Sequence, residues 1–131
     1  MNVLLLDFET TGLDVKSARP IEAGYQITNE DFSEVISEGN TFVYAHDYPT
    51  LSQEVKDVTG LTLTSIVSGA HPSEAITILA GECIKYDVKG IVAYNAEYDM
   101  AILQNETLRL GIHTVDIVAR MLALPYVCTI S

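Results

Sequence analysis

Asp7 and Glu9 stand one residue apart at the end of the apolar run Val3-Leu4-Leu5-Leu6, and Thr10, Thr11 and Gly12 follow at once. Alternate residues of an extended chain share a face, so both carboxylates project to one side of a strand and Phe8 to the other. Two acids this close cannot both ionise cheaply without a cation between them, and such a pair at a strand's end is a natural seat for a divalent metal ion. The plainer alternative is a strand end with solvated acids, so the pair needs context. A third acid supplies it. Ile91 to Tyr94 reads as an apolar strand that runs into Asn95 and then a helical segment carrying Asp99, with Met100, Leu103 and Leu110 placed to face a core. Oxygen ligands suit hard cations such as Mg²⁺ or Mn²⁺, and the lack of a histidine or cysteine cluster speaks against zinc.

The elements that position these residues follow from periodicity. Strands are expected over 2–8, 21–28, 33–44, 90–94 and 126–130, with helices near 52–57 and over 73–86, 97–110 and 114–123. Gly24 and Asn29 are expected to punctuate the first antiparallel hairpin, Asn29-Glu30-Asp31 being turn chemistry. In the last helix Val115, Val118, Ala119 and Leu122 make the expected buried stripe, which turns Asp116 to water. Three strands in meander followed by strands joined through helices imply a mixed five-stranded α/β sheet with flanking helices. No repeat, low-complexity tract or linker divides the chain, and 131 residues with 48% hydrophobic content suffice for one core, so one domain over 1–131 is expected.

Taken in order, four segments resemble the DEDD-type 3′–5′ exonucleases, the superfamily of polymerase proofreading domains and RNase T. They are Asp7-Phe8-Glu9-Thr10-Thr11-Gly12-Leu13, then Arg19-Pro20-Ile21-Glu22-Ala23-Gly24, then Val58-Thr59-Gly60-Leu61-Thr62, and last Asn95-Ala96 with Asp99. Thr59 stands where that family usually has histidine. The resemblance runs from residue 3 to about 112. It implies a ribonuclease H-like fold with the first strand central and its carboxylates facing the segment of Asp99. It also implies two Mg²⁺ or Mn²⁺ ions about 3.5–4 Å apart, with Asp7 bridging both, Glu9 on the first and orienting the water, and Asp99 on the second. Thr10, Thr11 and Gly12 would contact the terminal nucleotide and Leu13 would wedge against its base. Asn95 would bond a phosphate or cap the following helix, capping being the default. Tyr94 and Tyr98 read as packing residues.

The family's third motif is a histidine five residues before a fourth metal-binding aspartate on a late helix, and the chain is expected to end before it, Pro125 to Ser131 resembling the start of the fifth strand. His113 and Asp116 do not replace that pair, because their spacing is wrong and they precede that strand. Hydrolysis by the chain alone is therefore expected to be absent or severely reduced. Two rivals to an active enzyme follow: an exonuclease-fold interaction module, or the N-terminal part of a longer exonuclease. A sheet face and edge strand Tyr126–Ile130 left bare would favour a homodimer or a bound C-terminal fragment.

Eighteen acids against seven bases give a net charge of −11, and the bases form no run, which argues against a non-specific duplex binder. The expected partner is a single-stranded 3′ end of DNA or RNA, gripped weakly and through metal ions. Lys16 and Arg19 could meet phosphates, though a solvated loop is the expected setting. His46 and His71 read as solvated, and Cys83 and Cys128 as buried free thiols. With no run long enough for a membrane span or signal peptide, the chain reads as cytoplasmic, and the family resemblance implies a phage or bacterial setting.

Overall fold

A computed structural model describes residues 1–129. Its sheet has the order β3-β2-β1-β4-β5, from β1 (Asn2–Thr10), β2 (Pro20–Asn29), β3 (Val35–Phe42), β4 (Val88–Ala93) and β5 (Tyr126–Cys128). β1 is central, antiparallel to β2 and parallel to β4; β2 pairs antiparallel with β3, and β4 parallel with β5. This is the mixed sheet the sequence pattern predicts, with the first strand at its middle as the family resemblance implies for a ribonuclease H-like fold.

The alternation of β1 divides its work. Leu4, Leu6 and Phe8 are buried in a single core with Ile27, Ile91 and residues of α3 (Pro72–Lys85), α4 (Ala96–Leu110) and α5 (Asp116–Leu122). Leu5, Asp7 and Glu9 alternate to the other face and belong to neither apolar cluster. A smaller cluster joins Ile21 and Leu51 to Val55 of α1 (Gln53–Thr59) and Ile66 of the one-turn α2 (Leu63–Ile66). Ser52 caps α1, Gly60 ends it in the left-handed region at φ 72°, and Thr62 opens α2 through a capping box with Ser65. The Thr59–Thr62 turn is thus a helix stop followed by a helix start.

Several details differ from the sequence reading. The hairpin from β2 to β3 turns at Asn29 as expected, with Phe32 at φ 62°, but Gly24 does not punctuate it and lies inside β2 opposite Asp7. The third strand is shorter than 33–44, and Val43 makes an isolated bridge to Ala70. Tyr94 lies beyond β4 and is exposed rather than packed. On α5 the buried pair is Val118 and Met121, while Val115 and Ala119 are exposed; Asp116 does face water. Cys83 is buried as expected, but Cys128 is exposed on the short edge strand. The expected reach of the last strand to Ile130 lies outside the described residues.

Candidate active site

β1 delivers its acids at the point where its neighbours change. Pairing with β4 runs only as far as Leu5 opposite Val92, and the pairing with β2 shifts register between Glu9 and Thr10. Beyond Leu5 the Phe8 N–H donates to Asp99 Oδ1 at 3.1 Å, so the first turn of α4 takes over where β4 leaves off. Asp7 faces Gly24 and Glu9 faces Glu22 across β2. With no side chain at Gly24, Asp7 remains exposed.

The charges crowd. Although the residue is exposed, partial burial of its carboxyl, then the neighbouring Glu22, raises Asp7 above its ordinary range. Burial, Asp7 and Glu22 do the same to Glu9. Asp99, 5% exposed, is pushed up to about 6, first by burial and then by Asp7 and Glu9, against the lowering pull of the Phe8 N–H. Glu22, held by Asn40 Nδ2 at 2.8 Å, is thus a fourth acid bearing on the site. It lies in a segment the sequence reading singled out without assigning it this influence.

Beside the acids is a cavity of about 500 Å³ whose walls include Glu9, Thr10, Thr11, Gly12, Leu13 and Asn95, together with Val55 and Val58 of α1 and Tyr98 of α4. Six of the eight residues singled out from the sequence therefore share one cavity. Asp7 borders a shallower hollow on the open face with Gly24 and Tyr94, and Asp99 sits beneath the strand end.

Several residues in and around this cavity behave differently from the sequence reading. Asn95 occupies the N-cap position of α4, yet its side chain makes no capping bond and is exposed at the cavity. The Thr10 hydroxyl is engaged internally, lying 2.8 Å from the Gly12 carbonyl oxygen and meeting the Tyr98 hydroxyl, which donates to Gly12 O at 2.7 Å. Tyr98 is thus a tether for the loop after β1 and not merely a packing residue. Thr11 Oγ1 accepts from the Arg19 N–H at 2.9 Å. Arg19, read as a solvated loop residue, is 5% exposed and ion-paired with Glu106 and Asp47. Leu13 stands 85% exposed at the rim.

The donor set of Asp7, Glu9 and Asp99 is all carboxylate oxygen, which fits a hard divalent cation, and their mutual crowding is the deficit such a cation relieves. As the side chains stand, no three His, Cys, Asp or Glu among the described residues converge into a finished cation cage. His46 and His71 are exposed, His71 capping α3, and none of the three histidines precedes an aspartate by five residues. No helix among the described residues is long and apolar enough to cross a membrane.

A ribonuclease H-like sheet with an acidic pair at the end of its central strand, a third acid in the first turn of the facing helix and a cavity beside them defines a nuclease-type domain. The family model described as exonuclease, that of RNase T, matches residues 4–129, and the chain belongs to this DEDD-type 3′–5′ exonuclease family. Among solved structures, E. coli exonuclease I in complex with a dT13 oligonucleotide is similar at TM-score 0.76 and 17% identity, over 95% of this chain and 27% of that one. Exonuclease I in complex with the inhibitor BCBP is similar at TM-score 0.79 and 17% identity, over 97% of this chain and 28% of that one. The nuclease domain of 3′hExo bound to rAMP, a DEDDh family member, is similar at TM-score 0.71 and 14% identity, over 85% of this chain and 60% of that one. The chain thus spans about a quarter of the length of exonuclease I. Comparison with curated protein sequences finds no match.

Proposed function

We propose that this domain acts in metal-dependent removal of nucleotides from the 3′ end of single-stranded DNA or RNA. The observation that carries the proposal is the meeting of Glu9, Thr10 to Leu13 and Asn95 in one cavity beside Asp7 and Asp99. Asp7, Glu9 and Asp99 would hold Mg²⁺ or Mn²⁺, two ions in the complete site, which supply charge neutralisation and a more acidic water when bound.

The chain's own residues do the rest. Glu9, inside the cavity, accepts a hydrogen bond from the attacking water. Asn95 offers its uncommitted amide to a phosphate oxygen. Gly12 lets the backbone approach the terminal sugar, and Leu13 and Val58, both largely exposed at the cavity, offer apolar contacts to the base. Hydrolysis makes a new P–O bond from water and breaks the bond from phosphorus to the 3′ oxygen, which takes a proton as the nucleoside 5′-monophosphate leaves.

A 3′-ended single-stranded oligonucleotide labelled at its 5′ end tests the proposal. Mn²⁺-dependent binding, with any shortening stepwise from the 3′ end and both lost in Asp7→Ala, is the expected result. Internal cleavage, cleavage persisting in Asp7→Ala, or no Mn²⁺-dependent binding would overturn it.

A further inference from the structure

α4 does more than carry Asp99. Along its length it grips the loop between β1 and β2 at four points. Tyr98 donates its hydroxyl to Gly12 O at 2.7 Å, Asn105 Nδ2 donates to Val15 O at 2.8 Å, Arg109 Nη2 donates to Lys16 O at 3.0 Å, and Glu106 holds Arg19. The grip on Arg19 is the most elaborate. Arg19 Nε lies 2.8 and 3.1 Å from the two Glu106 oxygens, and Nη2 lies 2.7 Å from Oε2. Nη1 reaches Asp47 at 3.0 Å, and the guanidinium stacks over the Tyr48 ring at 4.5 Å. Glu106 is fully buried and also takes Arg109 Nη1 at 2.6 Å.

Arg19 also closes the loop's neck through its backbone, donating to Thr11 Oγ1 and accepting from Thr11 N, each at 2.9 Å. The segment it closes, Thr11 to Leu13, is a wall of the cavity. A planar fork in a bidentate pair fixes orientation as well as distance, which a lysine does not.

We propose that Arg19, clamped by Glu106, is a positioning residue that sets the Thr11–Leu13 wall relative to Asp99, and so governs the grip on the terminal nucleotide without touching the metal-binding acids. The role rests on the exonuclease reading above. In the full chain, Arg19→Lys and the milder Asn105→Ala would be compared with wild type below their unfolding midpoints. Three readouts are used: amide hydrogen exchange of residues 11–18, Mn²⁺ affinity, and Mn²⁺-dependent affinity for a single-stranded oligonucleotide.

The expected result for Arg19→Lys is faster exchange in the loop and oligonucleotide affinity down by about tenfold, the scale of one charge-assisted hydrogen bond removed, with Mn²⁺ affinity held within about twofold. Asn105→Ala should show the same pattern, smaller. Unchanged oligonucleotide affinity, or parallel loss of Mn²⁺ and oligonucleotide binding, overturns the positioning role. If wild type binds Mn²⁺ but no oligonucleotide, the exonuclease reading falls and the role falls with it; faster loop exchange would then mark the clamp as purely structural.

Discussion

Two buried carboxylates on one helix receive opposite treatment. Asp99, in the first turn of α4, has one backbone N–H for a partner and two other acids bearing on it, and its carboxyl is pushed up to about 6. Glu106, about two turns further along, is fully buried and held by two guanidiniums. A buried charge answered by well-placed partners is tolerated, whereas one crowded by like charges is a strained group awaiting a counter-charge. The helix is anchored at one end and electrostatically incomplete at the other. The incomplete end is the one beside the cavity.

Removing the answer at the anchored end should have the largest effect. Glu106→Ala leaves Arg19 buried without its main partner and should cost about 3–5 kcal/mol in urea unfolding, the scale of a broken buried pair. A loss below about 1 kcal/mol would mean that solvent already reaches the pair.

The incomplete end should behave in the opposite way. The folded value of Asp99, about 6, lies above its ordinary 3.8. Between those pH values the folded protein holds a proton that the unfolded chain has released. Stability therefore falls as pH rises through that window and stays lower above it; below it Asp99 contributes nothing either way. Asp99→Asn should raise stability at neutral pH by about 1–3 kcal/mol and change it little near pH 4, as unfolding at the two pH values would read. Equal effects at both would show that Asp99 ionises without strain.

The smallest effect concerns the tether. Tyr98→Phe removes the hydroxyl shared with Thr10 and donated to Gly12 O, and should cost about 0.5–1.5 kcal/mol in thermal or urea unfolding while leaving the Asp99 titration in place. A shifted Asp99 titration, seen by carboxyl carbon resonance, would show that the two ends of the comparison are not separable.

How much of this could be read from the residues depends on the range of the interaction. The period of two in Val3 to Glu9 fixes which side chains share a face, and the structure keeps that division: Leu4, Leu6 and Phe8 in the core, Asp7 and Glu9 out of it. The strand-to-helix step at Asn95 is local too, and it places Asp99 on the turn that meets β1. Arg19 is different, because its partner Glu106 lies 87 residues away and nothing in a polar loop sequence announces a buried guanidinium. Asn95 misleads for a local reason: residue type at an N-cap favours a capping bond, yet here the side chain makes none. Cys128 is exposed because β5 is a three-residue edge strand, which composition does not reveal.

We propose that the crowded acids are the seat of a divalent cation. Calorimetric titration of Mn²⁺ into the wild-type chain and into Asp7→Ala at neutral pH tests it most directly. Saturable binding by the wild type that disappears or weakens by at least about tenfold in Asp7→Ala is the predicted result, since Asp7 supplies both a charge and an oxygen ligand. Identical isotherms for the two proteins would contradict it.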